Sequence, residues 1–499
     1  MHRTLAAALL AGMAITGLAT PAQAAVPTKK LLVVGMDGLN WDSAVAADAP
    51  NLDALATQGL LARSLVQCPS RADSSSGPGW SNIATGVWPD KHGVTNNTFT
   101  GKQYAAYPDF LTRLETANPA YRTYSAVDWA ALHNQGTFSA AIDTRVTYDG
   151  DGNGYAGEDV KITADAVSRL ASGGPDASFV YLGNTDAVAH SSGTGALYTA
   201  AIAKQDQQLG QILATVKARP TYPSEDWLIL VTTDHGHRVP LGGHGGCGIE
   251  ERGTFLIAAG AGITAGSRPI DVRQVDLAAT ALAHFGVTAP IESTSGSAAV
   301  DGRNVTVRST DPFDSLALRT RVDETGIPST LAGWTPAAPA GWTVDRGAMP
   351  SGGVTEWRGW SFATDEFWSR AQTGQERENA LRTRGVFAVA DSDEFADKAG
   401  GATFDSTLIS PAYTVRSGNL VKISYVTHYR QEGNQKGDVL VSFNGGPDQL
   451  VKRYATDALA TAESLPVTVP AGATSMTVKF RYYDAANNWY WVIDDLRVS

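Results

Sequence analysis

The sequence predicts a two-part protein: an α/β domain with a mainly parallel sheet sandwiched by helices, followed by an antiparallel β-sandwich. Three observations carry this reading. The chain has 499 residues, more than one hydrophobic core usually organises. Its first three-fifths alternate short apolar runs with stretches of helical periodicity, the signature of parallel α/β units. Beyond Ser309 the pattern changes to short alternating runs separated by Gly and Pro turns, which suits paired antiparallel strands.

In chain order, His2 and Arg3 precede an apolar run over 5–18, and Ala22-Gln23-Ala24 supplies the small residues that a signal peptidase needs. Residues 1–24 therefore read as a secretory signal peptide, and the protein as secreted. An α/β catalytic domain is expected over 29–307. Its buried strands are predicted at 31–36, 178–182, 227–231 and 254–258. Helices are predicted at 50–56, opened by Pro50 and stopped by Gly59, at 197–216 and at 275–285. Residues 308–342, rich in Pro, Ala and Gly from Thr330 to Trp342, read as a linker. Residues 343–499 read as a β-sandwich accessory domain with strands near 421–425, 439–443, 476–480 and 489–493. Two separate compositions imply two separate cores, so the first domain is expected to fold and work on small substrates alone.

Seven of the twelve tryptophans lie after Ser309, but only one of the nine histidines, His428, which puts any metal chemistry in the first domain. The net charge of −11 argues against a nucleic-acid duplex as partner, since a basic surface would be needed. Bound cations can still make an acidic chain attractive to a phosphorylated small molecule. Nothing after the N-terminal run is long and apolar enough to span a membrane.

Three predicted strands run into acids: the first into Asp37, the second into Asp186, the third into Asp234-His235. Ligands of parallel α/β sheets bind at the carboxyl ends of strands, so the three acids should face one crevice. Any one of them alone reads as an ordinary cap or turn residue. Asp186 and His190, four apart, can reach one ion from a single turn of helix. His244 sits among glycines that allow close approach. Oxygen and imidazole donors without thiolates suit Zn²⁺, with Mn²⁺ or Fe²⁺ as alternatives.

The ordered set Val34-Gly35-Met36-Asp37-Gly38, Ser76-Gly77-Pro78-Gly79-Trp80-Ser81, Thr85-Gly86-Val87-Trp88-Pro89, His92-Gly93-Val94, Asp186 to His190, Asp234-His235-Gly236 and His244-Gly245 resembles the alkaline phosphatase superfamily, in its nucleotide pyrophosphatase/phosphodiesterase branch. The resemblance spans about 31–286. It implies an alkaline phosphatase-like fold and a phosphodiesterase or pyrophosphatase with two divalent metal ions, with phosphomonoesterase as the near alternative. It implies Ser76 as the nucleophile, nine residues before Thr85-Gly86, with Ser75 open because Ser74-Ser75-Ser76 departs from the family's usual Thr context. One metal is then held by Asp37, Ser76, Asp234 and His235, the other by Asp186, His190 and His244. The phosphoryl-oxygen donor falls on Asn97, with Asn96 as fallback. Trp80 reads either as a substrate-binding ring stacking on the leaving group or as ordinary packing. His237 reads as a loop residue, or one that supports a ligand, rather than as a ligand itself. A phosphorylated small molecule or a cell-envelope phosphoester is the expected substrate class.

Other signals are weaker. Cys68-Pro69-Ser70-Arg71 resembles the sulfatase signature but lacks the residue required between Cys and Pro. Cys68 and Cys247, the two cysteines, each flank an expected active-site segment; one disulfide or two separate thiols are both open. Asp149-Gly150-Asp151-Gly152-Asn153-Gly154 resembles the start of a calcium loop, but Val160 stands where the last acid belongs. A structural Ca²⁺ there, or among Glu356, Asp391, Asp393, Asp494 and Asp495, stands beside the alternative of solvated turns. The C-terminal domain is similar to galactose-binding-like and MAM-like jelly rolls, which implies a carbohydrate or cell surface as its ligand. A non-catalytic adhesin is the alternative from another functional class.

Overall fold

The computed structural model describes residues 27–171, 173–288, 299–400 and 403–499. The expected signal peptide lies outside the described residues. The first region is built on a sheet of β1 (Thr28–Met36), β2 (Leu60–Leu65), β3 (Thr123–Val127), β4 (Thr144–Thr147), β5 (Ala177–Leu182), β6 (Glu225–Thr232) and β7 (Gly253–Gly260). Their order is β2-β7-β6-β1-β5-β3-β4. β1 runs parallel to β5 and β6, and β3 parallel to β4 and β5. Only β7 runs the other way, antiparallel to both of its neighbours, β6 and β2. The expectation of a mainly parallel sheet therefore holds.

The apolar run of β1 shows why this sheet sits in the middle of three layers. Side chains of a strand alternate between its two faces. Leu31 and Val33 join one core with Phe179, Tyr181, Leu228 and Leu230, roofed by Trp80, Ile83 and Leu277. Leu32, Val34 and Met36 join a second core with Val180, Leu182, Ile229 and Val231, floored by Leu52, Ile202 and Leu209. Both faces are dry, so the strand reads as an unbroken apolar run. Helices Ser76–Thr85 and Asp276–His284 cover one face; Pro50–Gln58, Tyr155–Ala171 and Ala196–Lys217 cover the other.

The second region is two antiparallel sheets. One comprises β10 (Thr343–Asp345), β13 (Phe404–Thr414), β18 (Ser475–Ala485), β15 (Lys436–Phe443) and β16 (Gln449–Tyr454), in that spatial order. The other comprises β17 (Ala458–Thr468), β14 (Leu420–Tyr429), β19 (Tyr490–Val498), β12 (Val386–Asp391), β11 (Ser361–Thr364), β9 (Ala332–Thr335) and β8 (Arg319–Thr320). The sheets share one aromatic core, in which the Trp491 ring lies 5.8 Å from Phe480 and 5.5 Å from Trp360.

The linker expected over 308–342 needs correction. β8 and β9 lie inside it and pair into the larger sheet, with β9 against β11. Phe313, Trp334 and Trp342 are buried in the second core. The Pro, Ala and Gly content pointed to a flexible connection, but burial of two indoles outweighs that weak local signal.

The two regions meet across a polar, dry interface. Arg384 donates to both oxygens of Asp276, at 2.7 and 2.9 Å. Arg273 pairs with Asp365 at 2.9 Å and donates to Thr383 O; Arg252 donates to Glu378 O at 2.8 Å. Trp88 and Val275 of the first region pack with Leu381 and Ala460 of the second.

Candidate active site

The carboxyl ends of β1, β5 and β6 deliver the three predicted acids to one crevice. Asp37 follows β1 directly, Asp186 lies in the helix Asn184–Ser192 that follows β5, and Asp234 lies two residues beyond β6. Opposite them stands the first turn of the helix Ser76–Thr85. Ser75 is its N-cap and Ser76 its first residue. The positive end of a helix favours an anion, although here Gly77 N already donates to Asn97 Oδ1 and Pro78 has no N–H. Glycines let this helix approach: a Cβ on Gly79 would lie 2.7 Å from Asp234 O, and one on Gly77 2.8 Å from Asn96 O.

Ser76 Oγ lies 3.1 Å from His235 Nε2 and 3.5 Å from Asp37 Oδ1. The other Asp37 oxygen accepts from Trp80 Nε1 at 2.8 Å and Tyr181 Oη at 2.5 Å. His235 Nδ1 faces the carbonyl of Gly236 at 3.0 Å, so Nδ1 carries the proton and Nε2 is left as a lone pair. Asp234 Oδ2 is buried with no hydrogen-bond partner, 3.3 Å from that Nε2. Asp37, Asp234, His235 and Ser76 thus converge.

A second cluster lies beside the first. His190 Nε2 and His244 Nε2 are 2.9 Å apart. Asp186 Oδ1, also buried without a hydrogen-bond partner, lies 3.5 Å from His190, 3.6 Å from His244 and 3.0 Å from His237. His237, read as a loop residue or a support for a ligand, is fully buried within the site beside Asp186. Its place two residues after His235 was the signal available in the sequence.

The electrostatics require compensation. Burial, then the charge of Asp186, pushes the Asp37 carboxyl up; burial, then Asp37, does the same to Asp234. Burial alone would raise Asp186 too, but the imidazoles of His237, His235 and His244 hold it below the usual range. Burial lowers His235 and takes His244 down to about 4, so both rings are neutral donors of a lone pair. Orphaned carboxylate oxygens and lone-pair nitrogens converging in one crevice fit divalent cations. Two groups have donor atoms mutually close enough to hold an ion: Asp37, Asp234 and His235, and Asp186, His235 and His244. His235 lies between the clusters.

Asn97 is exposed at the crevice, and its Oδ1 accepts from Gly77 N at 2.7 Å. That leaves its amide NH₂ as the group able to donate. Trp80 needs correction: its ring is wholly buried, edge-on to Phe179 and Tyr181, so it presents no face to a leaving group. Its role is to fix Asp37. Cys68 and Cys247 form a disulfide, with Cα atoms 4.9 Å apart. Cys68 is thereby removed from any sulfatase-type modification.

The acids weighed as calcium ligands have other partners. Asp149 caps the turn Gly150–Asn153, and Asp151 accepts from Tyr155. In the second region the buried Arg377 guanidinium takes a cation's place among Asp391, Asp393 and Glu394. Glu356 accepts backbone N–H of Val322 and Asp323, and Asp494 that of Arg384. Neither place belongs to the two metal-competent groups among the described residues.

The family model described as "Type I phosphodiesterase / nucleotide pyrophosphatase" matches residues 31–239. The human ectonucleotide pyrophosphatase/phosphodiesterase family member 7 is 24% identical over 246 residues, 46% of this chain and 52% of the relative. Its rat counterpart is 26% identical over 227 residues, 42% of this chain and 49% of the relative. The chain spans about half the length of the curated relatives it matches. Among solved structures, murine ectonucleotide pyrophosphatase/phosphodiesterase 5 aligns over 54% of this chain and 98% of its own, with 14% identity and a TM-score of 0.40. A Vibrio parahaemolyticus protein of the alkaline phosphatase superfamily aligns over 58% and 72%, with 17% identity and a TM-score of 0.42. Among the described residues no helix is long and apolar enough to cross a membrane.

Proposed function

We propose that this protein is a secreted, metal-dependent phosphoester hydrolase of phosphodiesterase or nucleotide pyrophosphatase type, with Ser76 as nucleophile. The observation that carries this reading is the convergence of Ser76 Oγ with His235 and Asp37, at a helix N-terminus beside a second Asp/His cluster. The family match over residues 31–239 supports it. The disulfide suits an oxidising compartment and so supports export.

The residues divide the work as follows. Asp37, Ser76, Asp234 and His235 would hold one cation and Asp186, His190 and His244 the other; such divalent ions would supply Lewis-acid stabilisation of negative charge at Ser76 Oγ and on the phosphoryl oxygens. Trp80 and Tyr181 hold Asp37 by donating to its outer oxygen, so its inner oxygen keeps facing Ser76. Ser76 Oγ attacks phosphorus and the ester oxygen leaves. The amide NH₂ of Asn97 steadies the phosphoryl oxygens as charge builds on them. Water then cleaves the phosphoserine and restores Ser76. Two cations offset the three carboxylates of Asp37, Asp186 and Asp234, so an anionic substrate is attracted despite the acidic chain.

The test is to assay the purified protein with zinc against bis-nitrophenyl phosphate and nitrophenyl phosphate side by side. Faster release from the diester supports the proposal. Faster release from the monoester would assign a phosphomonoesterase of the same fold, and no release from either would favour a binding protein.

A further inference from the structure

The segment 233–248 carries His235 and His244, yet contains neither helix nor strand. It includes six glycines, at 236, 242, 243, 245, 246 and 248, three of them with φ between +72° and +107°. Such a chain loses much conformational entropy when it is ordered. A metal ligand on it has to be positioned by contacts from outside the loop.

Those contacts centre on Ser74. The backbone carbonyl of Ser74 accepts from His244 Nδ1 at 3.0 Å. Its hydroxyl accepts from Gly245 N at 3.1 Å and donates to Gly246 O at 2.8 Å. One buried residue therefore holds three consecutive residues of the loop. The carbonyl can only accept, so Nδ1 of His244 bears the proton and Nε2 faces His190 as a lone pair. Ser74 also stands two residues before Ser76. The segment carrying the nucleophile and the loop carrying a ligand of the second cluster are thus joined at one side chain. The Cys68–Cys247 disulfide repeats that link on the far side.

We infer that Ser74 is the positioning residue of the second metal site: its carbonyl selects the metal-binding tautomer of His244, and its hydroxyl fixes the glycine loop on the nucleophile's segment. This rests on the two-metal reading above. Partners that orient a metal's histidine typically set affinity by about 10- to 100-fold.

The test measures zinc binding by competition with a chromophoric chelator, in the full chain, for wild type, Ser74→Ala, Ser74→Thr and His244→Ala. Ser74→Ala should weaken one of two zinc ions by about 10- to 100-fold and leave the other unchanged. Ser74→Thr, which keeps the hydroxyl, should restore much of that loss. Wild-type affinity for both ions in folded Ser74→Ala would overturn the inference. Wild-type affinity in His244→Ala would instead overturn the metal-site reading beneath it. Nitrogen-15 NMR of His244 in the wild-type protein keeps the question decidable if Ser74→Ala does not fold. A proton on Nδ1 is expected, and one on Nε2 would overturn the role of the Ser74 carbonyl.

Discussion

His190 and His244, on a helix and on a glycine loop respectively, bring their Nε2 atoms to 2.9 Å from one another. His190 is half exposed, so packing does not account for its place, whereas His244 also packs against the His235 ring. Two imidazole lone pairs aimed at one point, with a buried Asp186 oxygen beside them, describe a cation's ligand shell.

Replacing either histidine by alanine should therefore lower occupancy of that cation and make turnover depend on added zinc. Zinc content by mass spectrometry, measured beside turnover across a zinc titration, checks this. Loss of turnover at full zinc occupancy would assign these histidines to substrate contact instead.

Removing metal should destabilise the fold. The buried oxygens of Asp186 and Asp234 are left without partners, and the neighbouring carboxylates repel. Zinc at about 100 times its dissociation constant should restore about 2.7 kcal/mol per site. Thermal melting of chelator-treated protein with and without zinc reads this directly; an unchanged Tm would contradict it.

The two regions should not be separable. Composition suggested independent cores, but the structure ties them by the Arg384–Asp276 pair and by Arg252 and Arg273. Asn379 of the second region also accepts from Cys68 N, at the disulfide. Cutting the chain at 309 would leave these groups unpartnered and expose Trp88 and Val275. The truncated protein should fail to melt cooperatively. Arg384→Ala should destabilise the protein, because buried Asp276 then keeps only the backbone N–H groups of Arg273 and Arg303 against its charge; denaturant unfolding reads this.

Acid should weaken the fold through histidines outside the site. Burial holds His92, His133 and His428 at about 3. Each is neutral in the folded state and takes a proton near pH 6.5 when unfolded. Their contribution is therefore present above pH 6.5 and is lost as pH falls toward 3. The slope is about 1.4 kcal/mol per pH unit for each ring. Unfolding midpoints at pH 7, 6, 5 and 4 should fall accordingly, and His428→Gln should flatten the slope.

Much of this was legible in the sequence for physical reasons. β1, β5 and β6 are buried on both faces, so their apolar runs are continuous, and the acids after them mark the crevice. β2, β3 and β4 were not legible. β2 mixes Arg63 and Ser64 into a half-exposed edge, β3 carries Thr123 and Ser125 in its core, and β4 has only four residues. Trp80 stayed open between substrate and packing because a tryptophan near a nucleophile looks alike in sequence whether its ring faces the substrate or the core. The inter-region arginines were hidden because their partners lie about 100 residues away, and nothing local in a charged residue marks it as buried. The roles of Ser74, Ser75 and Ser76 separated only in three dimensions. Ser74 grips the His244 loop, the Ser75 hydroxyl has no partner, and Ser76 faces His235.

The most direct test of the central claim is turnover together with zinc content for Ser76→Ala and Ser75→Ala. The account predicts that Ser76→Ala abolishes turnover, stays folded and still binds zinc, because Asp37, Asp234 and His235 remain on one ion and Asp186, His190 and His244 on the other. Ser75→Ala should keep most of its activity. Near-normal turnover in Ser76→Ala, with loss in Ser75→Ala or in neither, would contradict it.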